Sequence, residues 1–371
     1  MAITRIGNPA IANIREPNFR NIVINGDMSI AQRGTSQASI TSGGYYTVDR
    51  FKTSIDNLGT WTQSQSTDVP SGQGFAKSLK MDCTTADASP AAGDSIFLDT
   101  KFEGQNVQYL KKGTSSAESL TCSFWVKTNK TGTYTVELYD QDNNRSISKS
   151  YTVSSANTWE KKTVTFAGDT TGAFDNDNAK SLNVFFWLGG GTNFTSGTLQ
   201  TSWGTITNAN RAVGQVNLAD STSNEWYITG IQLEAGSVAS DFEFLPHDVN
   251  LTRCQRYYQI IADRTSTGER MAIICGAAIA TGTGAGVVYA ALQFPTPMRA
   301  SATMLSTTVT NGYRLLGDTQ PTFNVLSASP ITNRGARLSN GGTLSANATS
   351  GKAYVLECEL NGSNLIFSSE L

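Results

Sequence analysis

Asp140/Asp142 and Asp175/Asp177 are carboxylate pairs two positions apart in this sequence. Glycosidic cleavage needs two carboxyls facing each other across roughly 5–9 Å, one of them with a raised pKa. Both pairs sit in Asn-rich stretches, where Asp is favoured because it bonds its own backbone, so turn roles are expected. Asp140-x-Asp142-x-Asn144 also matches the opening of a calcium loop. The glycine and glutamate that should complete such a loop are instead Arg145 and Tyr151. The only histidine, His247, stands beside Pro246, and there is no Gly-x-Ser-x-Gly elbow, which argues against a serine or cysteine triad. The Gly-rich run 282–286 has no following Lys-Ser/Thr and precedes the strand-like Val287–Leu292, so it reads as a plain turn and not a phosphate cradle. No enzymatic activity and no organic cofactor are expected; a structural calcium is the one cofactor candidate.

Binding residues are easier to nominate. Flat indole faces stack on the apolar faces of sugar rings, and the chain has six tryptophans. Trp125 and Trp226 fall in alternating stretches that bury them, and Trp187, within Phe185-Phe-Trp-Leu188, has apolar neighbours on both faces. Trp61, Trp159 and Trp203 stand among polar neighbours and are the candidate platforms, with half-buried packing as the plainer reading. Near the C-terminus, Arg314 and Arg334, with Arg299 and Arg337, suit bidentate contact to acidic sugars. A solvated face or a subunit contact explains them equally well.

These residues must be positioned by strands. The chain of 371 residues is poor in charge (16%) and rich in glycine (34), with short apolar runs between Ser, Thr and Asn, as in an all-β protein. Glu225–Tyr258 organises the rest. Trp226, Ile228 and Leu233 read as the buried face of a last strand, with Gly230 marking a bulge. Leu251, Cys254, Tyr258 and Ile261 then recur at helical spacing behind Asp248 as cap, giving a linker helix over 246–261. Asn25-Gly26 is expected to turn a hairpin within 18–33, and Tyr45–Phe51 to be a strand. Leu120–Lys127 with Thr133–Tyr139 should form the clearest hairpin, and Asp140–Asn144 should turn the next one. The fold expected is a jelly-roll sandwich over 18–245, the linker helix, and a smaller distal β-sandwich over 262–371. Residues 1–17, with Ile3, Ile6, Pro9, Ile11 and Ile14, are too short to form a core and read as a docking peptide.

Net charge is −2, with a mildly acidic first part and a mildly basic remainder. Neither carries the basic excess that nucleic acid or an anionic membrane surface demands. No apolar run approaches membrane-spanning length, so a soluble chain without an encoded export signal is expected. The five scattered cysteines read as buried free thiols.

Four motifs occur in order: Ile24-Asn-Gly-Asp-Met-Ser-Ile-Ala-Gln-Arg-Gly34; a Tyr-x-Val-Asp-Arg-Phe ending at Phe51; Gln232-Leu-Glu-x-Gly236 with Phe242-Glu243; and Cys254-Gln-Arg-Tyr-Tyr258. Together with Ser123–Lys127 and Trp159 they resemble a carbohydrate-binding-module jelly roll and, more specifically, bacteriophage fibre and appendage proteins, over roughly residues 18–258. That resemblance implies a homotrimer on the virion exterior that adheres to host-surface glycans and is anchored by its N-terminal peptide to tail or capsid proteins. It also implies a structural calcium near the start and the last strand of the sandwich, here Asp27 and Glu234. A capsid decoration protein or head fibre, and a polysaccharide depolymerase, are the alternatives.

Overall fold

The structure is a computed structural model describing residues 19–263, 271–280, 286–305, 307–317, 320–346, 352–360 and 362–371. Ile3, Ile6, Pro9, Ile11 and Ile14, and most of the run 282–286, lie outside the described residues. The chain divides into two units, 1–245 and 246–371, each with its own hydrophobic core. It is all-β, and no described helix is long and apolar enough to cross a membrane.

The first unit contains β1 (Ser36–Ile40), β2 (Gly44–Tyr45), β3 (Lys52–Asp56), β4 (Thr60–Ser66), β5 (Ser78–Thr85) and β6 (Ser95–Glu103). There follow β7 (Leu120–Thr128), β8 (Gly132–Asp140), β9 (Arg145–Val153) and β10 (Glu160–Phe166). It ends with β11 (Lys180–Gly190), the short helix α1 (Thr192–Thr195), β12 (Gly204–Thr205) and β13 (Glu225–Ala235). One sheet runs β1-β4-β5-β13-β7-β10 and the other β12-β9-β8-β11-β6-β3-β2, with antiparallel neighbours throughout. Placing β13 between β5 and β7, and β11 between β6 and β8, gives the crossed connectivity of a jelly roll.

Period-two alternation decides what each sheet buries. Leu120, Cys122, Phe124 and Val126 of β7, with Trp226, Ile228 and Leu233 of β13, meet Val136 and Leu138 of β8 and Val184, Phe186 and Leu188 of β11 in one core. Truncating a side chain as large as Trp226 there would cost about 3–5 kcal/mol.

Gly230 does mark a bulge: the β13–β7 register shifts between Thr229 and Gln232 and Gly230 has φ +62°. Three other local expectations are corrected. Leu120–Lys127 and Thr133–Tyr139 are β7 and β8, which lie in different sheets. Two strands that each carry one apolar face can pack face to face as readily as edge to edge, and here they cross from sheet to sheet. The hairpin at Asp140–Asn144, joining β8 to β9, is present.

Asn25-Gly26 turns no hairpin, because residues 19–33 contain no strand. Asn25 (φ +62°) instead staples the segment: its Nδ2 donates to the Ile30 and Asp49 carbonyls (2.9 and 3.0 Å), and its Oδ1 accepts from Ile30 N (2.9 Å). Gly26 passes against the β13 bulge, where an added Cβ would stand 2.1 Å from the Ile231 carbonyl. Of Tyr45–Phe51, only Tyr45 is in a strand, at the end of β2. Val48–Arg50 is a buried turn with Arg50 at φ +73°, and Arg50 Nη2 donates to the Lys101 carbonyl (2.8 Å). Two of the motifs quoted above are thus one internal joint.

The second unit opens with α2 (His247–Gln255). Asp248 is not its cap: Pro246 takes the cap position without a side-chain bond, and Asp248 sits in the first turn, where the helix dipole favours an acid. The helix is also shorter than expected, since Tyr258 and Ile261 belong to β14 (Tyr258–Asp263). Next come β15 (Met271–Ala280), β16 (Gly286–Gln293), β17 (Thr303–Met304), β18 (Tyr313–Leu316) and β19 (Thr322–Phe323). The last are β20 (Leu326–Ile331), β21 (Gly335–Asn340), β22 (Ala353–Cys358) and β23 (Asn364–Ser368). They form a three-stranded sheet, β14-β23-β17, and a seven-stranded one, β19-β18-β22-β15-β16-β21-β20, over a core that includes Tyr313, Leu338, Tyr354 and Phe367. Cys83, Cys122, Cys254 and Cys358 are buried free thiols.

Candidate functional site

The strands that send Ile96, Leu98, Val184 and Phe186 into the core must send the residues between them to the opposite face. On β6 these are Phe97, Asp99 and Lys101; on β11, Asn183, Phe185 and Trp187; on β8, Glu137 and Tyr139. Register aligns them in rows: Lys101–Asn183–Tyr139, then Asp99–Phe185–Glu137, then Phe97–Trp187. Trp187 is covered by Phe194 of α1, with Ala212 in the same small apolar cluster. Beside that cover lies an open groove of about 390 Å³, within the range of ligand clefts. Phe97, Asp99, Asn183 and Phe185 form part of its lining, Lys180, Gln141 and Asn144 another, and Ile206, Asn208 and Arg211 the loop side.

The rings are braced. Phe97 meets Phe185 edge-on at 5.0 Å, Tyr139 lies 6.2 Å from Phe185, and the Tyr139 hydroxyl donates to Asn144 Oδ1 (2.9 Å). The polar groups are not all satisfied. Asp99 is 1% exposed; its Oδ1 accepts from Ser54 (2.7 Å), while Oδ2 has no hydrogen bond and sees Lys101 Nζ at 3.6 Å. Asn183 is 3% exposed, and its Oδ1 has no partner among the described residues. Buried acceptors are normally paired, since an orphan costs about 1–3 kcal/mol. Two such acceptors, Asp99 Oδ2 and Asn183 Oδ1, belong to residues that line this one groove.

Burial pushes the Asp99 carboxyl above the ordinary range against the pull of Lys101 and Ser54. Burial also pulls the Lys101 ammonium down; Asp99 opposes this, while Lys52, Lys180 and Arg50 add to it. Glu137, fully buried, is likewise raised by desolvation, although Arg211 Nε (2.9 and 3.1 Å) and Trp187 Nε1 (2.9 Å) hold it.

Few of the residues nominated from sequence lie here. Trp61 is wholly buried in the core with its Nε1 on the Leu58 carbonyl (2.8 Å), which corrects its reading as an exposed platform. Trp159 is half-buried on the outer face of the six-stranded sheet, 6.2 Å from Tyr227, donating to Asp68 (2.9 Å). Trp203 is half-buried and donates to the Ala167 carbonyl (2.7 Å). Trp125 is not in the core: β7 buries its even-numbered positions, and Trp125 lines a second cleft of about 250 Å³ with Phe75, Phe242 and Phe244. None of the unpartnered buried side-chain atoms belongs to that cleft. In the second unit, Arg314 is buried and tied to Glu357 (2.6 Å) and Glu359 (3.3 Å), which corrects its reading as a ligand contact; Arg334 is exposed.

Glu234 is 1% exposed, and both its oxygens are engaged: Oε1 accepts from Ser240 N (2.9 Å) and Gln232 Nε2 (2.8 Å), and Oε2 from Ser240 Oγ (2.6 Å). Among the described residues, no group of three or more His, Cys, Asp or Glu side chains is placed to hold a metal. At the other calcium candidate, Asp140 Oδ1 accepts from the backbone of Asp142 and Asn143 (3.0 and 3.1 Å), as a turn aspartate does. Its Oδ2 meets Lys112 Nζ at 2.5 Å. That ammonium also reaches Asp169 (3.1 Å) and the carbonyls of Thr171 (3.0 Å) and Gly172 (2.6 Å). An internal cation therefore sits in a ring of hard oxygens.

The groove residues carry a signal in the sequence: Phe97, Asp99 and Lys101, and Asn183 and Phe185, sit at every second position, alternating with Ile96, Leu98, Thr100 and Phe102 and with Leu182, Val184 and Phe186. An aromatic-and-polar outer face on a central strand is the trace a binding surface leaves.

No protein-family model matches the chain, and no curated protein matches its sequence. Among solved structures, it is similar to the enzymatically active domain of tailspike protein 4 of bacteriophage CBA120 (13% identity, TM-score 0.31, 58% of this chain). The match spans only 22% of that tailspike chain. It is also similar to the family 11 carbohydrate-binding module of Clostridium thermocellum in complex with a β-1,3-1,4-mixed-linked tetrasaccharide (11% identity, TM-score 0.28, 56% of this chain and 99% of that one). A third is the tandem CBM22 domain of Paenibacillus barcinonensis Xyn10C (9% identity, TM-score 0.25, 92% and 99%). Likenesses this distant assign no function to the chain.

Proposed function

We propose that the chain is a glycan-binding protein whose first unit holds a saccharide in the groove over β3, β6, β11 and β8. One observation carries this reading: the buried acceptors Asp99 Oδ2, which has only the Lys101 ammonium at 3.6 Å, and Asn183 Oδ1 accept no hydrogen bond beside the rings of Phe97, Phe185 and Tyr139. A sugar supplies what is missing, hydroxyl donors for the acceptors and a C–H face for the rings. The role is binding without cleavage. Asp99 would need a second carboxyl across the ligand, and Glu137 is sealed beneath Arg211 and Trp187.

The motif resemblance supports a finer reading: a virion fibre or receptor-binding appendage on the outside of a phage particle, trimeric, and docked through residues 1–17 to tail or capsid proteins. Repeated copies would turn a weak groove into avid attachment. Screening the full chain on an array of bacterial-surface glycans tests the groove. Binding that falls at least tenfold, about 1.4 kcal/mol, in Phe185→Ala and Asp99→Ala is expected; full binding by both variants rejects the site. Reducing-end assays on bound polysaccharide should stay flat. Deleting residues 1–17 should abolish rebinding to isolated tails, whereas loss of capsid rebinding alone would favour a head fibre.

A further inference from the structure

We infer that the groove selects an acidic saccharide, whose carboxylate docks on the Arg211 guanidinium while neighbouring sugar hydroxyls donate to Asp99 and Asn183. This rests on the glycan reading above and narrows it to a ligand class.

Arg211 is held like a recognition group and not like a surface arginine. Its Nε donates to both oxygens of buried Glu137, at 2.9 and 3.1 Å. Its guanidinium lies 5.3 Å from the Phe185 ring and 5.0 Å from Trp187, so its position is set by two aromatic neighbours and one ion pair. The two terminal nitrogens, which present the bidentate edge that matches a carboxylate, donate to no described residue. A side chain so fixed has lost its rotamer entropy before any ligand arrives, which favours binding.

The charge around it is also unbalanced. With Glu137 set against Arg211, the groove still carries Lys101 and Lys180 against Asp99 alone. Lys52 and Arg50 press on Lys101 from nearby, and the repulsion of these groups works with burial to weaken its hold on the proton. A bound anion relieves this crowding, whereas a neutral sugar leaves it in place. The two acceptors explain why the ligand is a sugar acid and not a bare anion, since they need hydroxyl donors and repel a second negative group.

The test uses the full chain on a panel of acidic bacterial polysaccharides, each paired with its carboxyl-reduced counterpart, in which the acid has become a neutral hydroxymethyl group. Binding to acidic members, weakened at least tenfold by carboxyl reduction, is expected. Arg211→Lys, which keeps the charge and loses the fork, should weaken acidic binding about tenfold, and Lys180→Gln several-fold. Raising salt from about 0.05 to about 0.5 M should weaken it further. Lys180 is half-buried and makes no side-chain hydrogen bond or ion pair with a described residue, so that variant stays informative if Arg211→Lys fails to fold. Reduced glycans that bind as well as their acids would overturn acid selection and leave the glycan reading standing. A chain that binds no member of either set would overturn both.

Discussion

Replacing Asn183 with Leu should make the first unit more stable and a poorer binder. Asn183 is 3% exposed, flanked by Lys101 and Tyr139 on its neighbouring strands, and its Oδ1 accepts nothing. Removing an unpartnered buried amide recovers about 1–3 kcal/mol. Leucine is close to asparagine in length, and misfit in the row could return about 1 kcal/mol of that gain. A net stabilisation of up to about 2 kcal/mol remains, or up to roughly 8 °C in midpoint for a unit of this size. Ligand affinity should fall at least tenfold, because a sugar hydroxyl would then face hydrocarbon. The assay is favoured by the sequence: all six tryptophans lie before residue 245, so tryptophan emission during denaturant unfolding follows the first unit. Affinity is read by calorimetry against whichever glycan the array selects. A lower unfolding midpoint would show that Asn183 serves the fold, and unchanged affinity would remove it from the site.

Three further outcomes are expected. Because burial raises the Asp99 pKa above its ordinary 3.8, Asp99 contributes most to stability below that value and loses this as pH rises through its folded-state pKa; Asp99→Asn should match the parent in strong acid and exceed it increasingly toward neutrality, and a pH series of midpoints showing the reverse slope refutes this. Lys112→Ala leaves Asp140 and Asp169 without their shared ammonium and should cost about 3–5 kcal/mol. Millimolar calcium should restore part of the variant's midpoint and leave the parent's unmoved, and no recovery would mean the oxygen ring cannot accept a metal. Gly26→Ala, whose Cβ would collide with the Ile231 carbonyl, should cost about 1–3 kcal/mol by thermal melt, with glycan affinity per folded molecule unchanged.

The sandwich was legible because burial writes itself locally. Trp226, Ile228 and Leu233 alternate, Gly230 interrupts them, and the structure has the strand and its bulge there. The misread hairpins share one cause. Alternation in Leu120–Lys127 and Thr133–Tyr139 gives each strand a buried face, but a buried face does not say which edge the strand pairs with. Asn25-Gly26 misled because a dipeptide that suits a two-residue turn suits any left-handed backbone, and here the asparagine uses it to bond Ile30 and Asp49.

The site was harder to see for a physical reason that goes beyond missed motifs. Its members arrive from positions 97–101, 139, 183–185 and 211, and they become neighbours only through a strand order that sets β11 between β6 and β8. No spacing rule within one segment reports that register. The quoted motifs, meanwhile, draw attention to residues that hold the chain together: Asn25, Gly26 and Asp49 lock the entry to the sandwich, and Glu234 clamps Ser240. Architecture here lies in runs that bond to each other or to a nearby turn, whereas the proposed recognition lies on the other face of strands whose inner face the core already explains. A search for function in a chain of this kind therefore begins with outer-face positions of central strands where rings alternate with acceptors, and asks which of those acceptors the protein has left unpaired.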